Sequence, residues 1–158
     1  MTDPMDALKS LQVAVDNGRV ALSPCEIYPD LRVVSDQPTG RPRITYANMD
    51  RGKVLSISLF ALTEPVSGIP CFQIGYAVVE SMRQKGLASD IVAKGIHELR
   101  NGLKRNGAQQ FYVEAVVAVP NTASNKLAKR LLSDNPKPCV DAYSGKPAMQ
   151  YLKLVECC

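Results

Sequence analysis

Between Ile74 and Ala88 the chain reads IGYAVVESMRQKGLA, a short apolar strand that passes through a basic, glycine-bearing loop straight into an amphipathic helix. The head of such a helix leaves several N–H groups without intrahelical partners. It also carries roughly half a positive charge from the aligned peptide dipoles, so a phosphate placed there is stabilised. Gly86 can take backbone angles closed to other residues and, with Ala88, lets an anion approach closely. Arg83 and Lys85 add formal charge.

The sequence around this junction alternates strands and helices. Phe72 to Val79 is almost continuously apolar, as suits a central strand covered on both faces. Leu87 to Asn106 is the strongest helix, with Ile91, Val92, Ile96, Leu99 and Leu103 on one side and Gly107 closing it. Arg43 to Asn48 and Lys53 to Leu62 read as a hairpin around Met49-Asp50-Arg51-Gly52, with Leu55, Ile57, Leu59 and Ala61 alternating onto a buried face. Glu64 to Pro70 reads as a turn. Phe111 to Val119 is a strand, Ala123 to Leu132 a helix, Ser133 to Pro138 a loop, and Met149 to Val155 a last strand. At the other end Asp3 can cap a helix beginning at Pro4, with Met5, Leu8, Leu11 and Val15 on one stripe, packed on the sheet or on a partner. Residues 19–42 are broken by prolines and carry at most a short strand at Leu31 to Ser35.

At 158 residues and 46% hydrophobic composition the chain suits one domain, 1–158, with a divergent segment 1–42 and a core 43–155. The net charge of +4 fits an anionic cofactor and falls short of a nucleic-acid arm. Five cysteines without a Cys-x-x-Cys pair argue against a disulfide framework, suggest a reducing cytoplasm, and offer no metal site. No apolar run is long enough for a bilayer, so no membrane partner is expected.

The order strand, Arg83-x-x-Gly86-x-Ala88 loop and long helix resembles the acetyl-CoA signature of the GNAT superfamily of N-acetyltransferases, particularly the branch that acetylates protein amino termini. The segment Asn121-Thr122-Ala123-Ser124 after the second strand is similar to that family's Asn-x-x-Ser/Ala element. The likeness covers Arg43 to Val155 and is specific from Ile74 to Leu132. It implies an α/β fold with a mixed, mostly antiparallel sheet of six or seven strands, flanked by helices and splayed at a cofactor cleft. It further implies acetyl transfer from acetyl-CoA to a primary amine of a small molecule or protein, by direct attack in a ternary complex.

The resemblance also implies site residues. Gln84, Lys85, Gly86, Leu87 and Ala88, with Arg83, would hold the pyrophosphate. Tyr76, Ala77 and Val78 would pair with the pantetheine arm, and a backbone N–H near Val78 or Val79 would polarise the thioester carbonyl. Asn121 and Ser124 would lie near the arm, although Asn121 is equally a good helix cap. An amine nucleophile must lose a proton, and Glu114, on the polar side of its strand, is the candidate base unless it simply faces solvent. His97, the only histidine, lies near the apolar stripe of the long helix and reads as a packing or surface residue. Cys71 reads as a small buried residue rather than a nucleophile.

Two departures bear on chemistry. Where many members of the family carry a helix tyrosine that protonates the leaving thiolate, Ala128 stands here, leaving Tyr143 or Tyr151 as substitutes or an unaided departure. The Gly-Phe that follows that helix in the family is replaced by Leu132-Ser133-Asp134-Asn135-Pro136. A catalytically inactive CoA-binding or interaction module is therefore the alternative reading. An RNA-binding face built from Lys94, Arg100, Lys104, Lys126, Lys129 and Arg130 is disfavoured by the lack of interleaved aromatics. A homodimer and the use of Cys157-Cys158 stay open.

Overall fold

The computed structural model describes residues 3–157, so of the Cys157-Cys158 pair only Cys157, fully buried, can be placed and Cys158 lies outside the described residues. Helix α1 (Pro4–Asp16) starts where the sequence places it, with the Asp3 carboxylate accepting the Met5 N–H at 2.9 Å. Eight strands follow: β1 (Ser23–Pro24), β2 (Leu31–Asp36), β3 (Arg43–Asp50), β4 (Lys53–Val66), β5 (Ile69–Val78), β6 (Gln110–Ala118), β7 (Lys137–Val140) and β8 (Pro147–Glu156). Helix α2 (Leu87–Arg105) joins β5 to β6, and α3 (Thr122–Leu131) follows β6. One sheet has the order β1-β2-β3-β4-β5-β6-β8-β7, and every neighbouring pair is antiparallel except β5 and β6. That exception follows from connectivity, because a strand-helix-strand crossover returns in the same direction.

Three expectations are corrected. The sheet has eight strands rather than six or seven. The additional ones are short and lie on its two edges, where β1 spans Ser23–Pro24 and β7, expected as loop, carries Pro138. The turn expected over Glu64 to Pro70 contracts to Ser67-Gly68, with φ of 50° and 79°, the same two-residue geometry as Arg51-Gly52 between β3 and β4. Pairing slips between Thr63 and Val66 because Pro65 has no N–H to give the ladder.

Strand β4 is buried on both faces instead of one. Ile57 and Leu59 pack with Leu8 of α1, while Phe60 packs with Ile91 and Val92 of α2. On the α2 side Ser58 donates to the Ile91 carbonyl at 2.9 Å. Gly95 comes so close that a Cβ there would lie 2.5 Å from Ser58 Oγ. Helix α2 also collects the segment before β2, since the buried Glu98 carboxylate accepts the Ile27 and Tyr28 N–H groups at 2.9 and 2.8 Å. Residues whose prolines prevent a regular ladder thus find backbone partners in a side chain.

Candidate functional site

Beyond β5 a single 3-10 turn, Glu80–Met82, leads to Arg83, and Gln84 and Gly86 both adopt positive φ, 62° and 78°. This path brings consecutive N–H groups to the head of α2. The first bond of the helix runs from the Asp90 N–H to the Gly86 carbonyl at 3.1 Å. Among the described residues the amides of Gln84 through Ser89 donate to no protein acceptor. Gly86 is needed for its φ, since a Cβ there would meet nothing within 4 Å. Arg83 donates from Nε to the Val78 carbonyl at 3.2 Å, tying the loop to the end of β5. Lys85 runs along the surface, with Nζ 3.9 Å from Met82 Sδ. From α3, Arg130 reaches across to Ser89 Oγ.

The sheet opens next to this loop. Strands β5 and β6 pair only at Cys71–Tyr112, Phe72–Val113 and Gln73–Glu114. Past that point β5 stays with β4 as far as Val78 and β6 stays with β8 as far as Ala118, so the two separate and leave facing edges unpaired. Which backbone groups face the gap follows from the antiparallel alternation. The Val79 N–H bonds the Leu55 carbonyl at 2.9 Å, which turns the polar groups of Val78 and Tyr76 away from β4 and into the gap. Ala77 belongs instead to the β4 ladder opposite Ile57, and its side chain packs in the cluster under α1. The Val79 N–H is therefore engaged, while that of Val78 is directed at the opening.

Two cavities of about 490 and 660 Å3 meet at this split. The larger runs past Val78, Arg83, Gln84, Gly86 and Ala88; the smaller lies between Gln73–Tyr76 and Ala115–Ala118 and opens beside Tyr143. Both are bordered by Asp3, Tyr76, Asn121, Ser124 and Leu127, which mark their junction. There the hydroxyls of Tyr76 and Ser124 are hydrogen-bonded to each other. Burial raises the Tyr76 pKa above its ordinary value, and the Ser124 bond partly opposes this. Asn121 caps α3, its Oδ1 accepting the Ser124 N–H at 3.1 Å, so the cap also fixes the serine beside the junction. One turn on, Ala128 is buried and opens space in the wall of the smaller cavity.

Other sequence candidates lie further out. Glu114 occupies the last rung before the split and accepts from Gln150 Nε2 at 2.6 Å, bordering neither cavity. Tyr143 stands at the outer lip with 80% of its surface exposed. Tyr151 is buried, and its hydroxyl donates to Asn125 Oδ1 at 2.6 Å outside both cavities. His97 pairs with the Tyr28 hydroxyl at 2.8 Å on the far part of α2. Burial beside Glu114 pushes the Cys71 thiol up to about 11, the reverse of what a nucleophile needs. Lys126 and Lys129 border a separate surface groove beside Val119.

Sequence reasoning missed four residues here. Asn125 donates to the Ala118 and Asn121 carbonyls at 3.0 and 2.8 Å and accepts from Tyr151, thereby joining β6, α3 and β8. Its polar side chain within an otherwise amphipathic helix was the available signal. Gln73, Asp3 and Asp141 line the smaller cavity, and the Asp-Ala-Tyr-Ser-Gly turn at 141–145 was the only local hint of the last.

No family model matches the chain, and no curated protein matches it. Solved structures do. The acetyltransferase of GNAT family from Streptococcus pneumoniae is 12% identical, covering 98% of this chain and 96% of its own, with a TM-score of 0.55. RimL, a ribosomal L7/L12 alpha-N-protein acetyltransferase solved in complex with coenzyme A, is 18% identical over 73% of this chain with a TM-score of 0.52. The match spans 64% of that chain. The Salmonella typhimurium protein yncA, solved with acetyl-CoA, is 19% identical over 75% of this chain and 66% of its own, with a TM-score of 0.50. The chain has the GNAT acetyltransferase fold.

Proposed function

We propose that this chain transfers an acetyl group from acetyl-CoA to a primary amine, by direct attack of the amine on the thioester with no acyl-enzyme. One observation carries the reading: unpartnered amides at the head of α2 open onto the same cleft as the separated edges of β5 and β6. Similar folds solved with coenzyme A and with acetyl-CoA support it.

The residues fit such a ligand. Amides from Gln84 to Ser89, Gly86 in its left-handed conformation and the nearby guanidiniums of Arg83 and Arg130 suit a diphosphate. The gap-facing backbone groups of Tyr76 suit the amides of a pantetheine arm, as an added strand would. Bound there, acetyl-CoA supplies an activated acyl group and a good leaving thiolate.

The chain's own groups then divide the remaining work. We assign the Val78 N–H to the developing oxyanion, since that of Val79 is engaged. The N–C bond forms as the C–S bond breaks, the nitrogen loses one proton and the thiolate gains one. Glu114, at the apex of the split, is assigned the first proton through a water, because its carboxylate stops short of the cavity wall. Tyr76 is assigned delivery of the second. It stands at the cavity junction as a protonated phenol, and burial raises its pKa further above the ordinary value. In this scheme Tyr143, at the lip, contacts the acceptor.

The test is release of free thiol from acetyl-CoA by purified protein over a panel of primary amines, with mass spectrometry of the product. Amine-dependent thiol release with a mass gain of one acetyl group is expected. Binding of acetyl-CoA with no turnover on any amine would overturn the catalytic reading.

A further inference from the structure

The smaller cavity is lined by acidic side chains and by no basic one. The larger cavity borders the helix-start amides and Arg83, and it shares Asp3 with the smaller one at their junction. In the smaller one the charged residues on the wall are Asp3, at that junction, and Asp141, and no lysine or arginine lines it. Each carboxylate is tied to backbone through one oxygen. Asp3 Oδ1 accepts the Met5 N–H, and Asp141 Oδ1 accepts the Tyr143 and Ser144 N–H groups at 2.8 and 3.4 Å. Among the described residues neither carboxylate forms an ion pair. Lys146, the nearest cation in sequence, meets Asp141 through its backbone carbonyl at 2.9 Å and does not border the cavity. Glu114 at the apex adds a third acidic group close by.

This pattern bears on which amine enters. A carboxylate beside an attacking nitrogen favours its protonated, unreactive form unless it also removes the proton. Two fixed carboxylates off the apical rung, Asp3 at the junction and Asp141 at the mouth, therefore suit a different part of the acceptor. The exposed ring of Tyr143 at the same mouth presents a face that attracts cations.

Resting on the acetyl-transfer reading above, we infer that the acceptor is an amine whose tail carries a second positive charge, held by Asp3, Asp141 and Tyr143 while its neutral amino group enters the split. Acceptors with an anionic tail are repelled.

Three probes of equal length separate the charge from everything else: 1,4-diaminobutane, 1-aminobutane and 4-aminobutanoate, with rates expressed per neutral amino group. The expected order of kcat/KM is diamine, monoamine, amino acid, and the differences should shrink as salt rises. In Asp3→Asn and Asp141→Asn the amide keeps each backbone cap but removes the charge. Each should lower the ratio of diamine to monoamine kcat/KM about fivefold, the upper end for a half-exposed ion pair. A monoamine or 4-aminobutanoate used as well as the diamine, or a ratio unmoved in both variants, overturns the inference and leaves acetyl transfer standing. Equal loss for all three probes reassigns these carboxylates to proton removal and also overturns it. Protein that binds acetyl-CoA yet releases no thiol with any amine overturns both readings together.

Discussion

Replacing Gly95 by alanine tests how closely the long helix sits on the sheet. A Cβ at that position would lie 2.5 Å from Ser58 Oγ, 2.8 Å from Phe60 Cε2 and 3.2 Å from Phe60 Cζ. Neither neighbour can retreat easily. Phe60 is fully buried, and Ser58 is held by the Ile91 carbonyl at 2.9 Å, one turn earlier on the same helix. Overpacking of this kind costs about 1–3 kcal/mol. Weakening the buried serine bond adds about 1 kcal/mol. Against these stands a gain of about 1 kcal/mol from removing a glycine from a helix interior. The balance is a loss of about 2 kcal/mol, which for a chain of this size lowers Tm by about 4–8 °C. Gly102, on the same helix, isolates the propensity effect, because its Cβ would approach only Arg105 Nη2 at 3.8 Å. Gly102→Ala should therefore raise Tm by about 2–4 °C. Thermal unfolding of both variants, followed by circular dichroism, decides the matter. If Gly95→Ala raised Tm as Gly102→Ala does, α2 could not lie against Ser58 and Phe60, and its head would not be aimed as described.

Gly86→Glu should weaken acetyl-CoA binding at least a hundredfold in calorimetry while costing only the 1–2 kcal/mol of a left-handed non-glycine residue, since its Cβ meets no neighbour. Tyr76→Phe should lower kcat about a hundredfold with little change in the KM for acetyl-CoA. It should also remove an alkaline limb that in the parent lies above the ordinary tyrosine value of 10.0, because burial raises this hydroxyl. Glu114→Gln should slow the reaction chiefly below the acceptor's pKa, and an equal loss at every pH would discard Glu114 as the proton acceptor. Among the thiols of the described residues, Cys139 on edge strand β7 should be alkylated first at pH 7.5, as read by peptide mass mapping. Burial holds Cys25 and Cys71 at about 11, so they should react only on unfolding or as pH approaches that value.

The segments most legible in sequence were those whose pattern and local chemistry agree. Helix α2 and the strand before it could be read because an apolar run, a glycine at the junction and a 3.6-residue stripe coincide from Phe72 to Arg105. The cap on α1 followed from Asp3-Pro4 alone. Strands β1 and β7 were not legible, since short edge strands are fixed by a neighbour's free backbone rather than by their own residues. The second buried face of β4 was not legible because serines lie on it, where only a small side chain admits the close approach at Gly95.

Within the site, the anion-binding loop was local and therefore readable. The pairing of Tyr76 with Ser124 joins residues far apart in sequence, and Asp3 and Asp141 arrive from opposite ends of the chain. No spacing rule connects such residues. They meet because β5 and β6 part after Gln73 and Glu114 and leave room between them.

The most direct test of the central claim is a titration of 15N-labelled protein with coenzyme A, following backbone amide shifts by NMR. The largest changes are expected at Gln84 through Ser89, whose amides lack protein acceptors, and at Val78 on the open edge of β5. Saturating coenzyme that leaves those resonances in place, or moves only amides on distant surfaces such as the β7 edge, would contradict it.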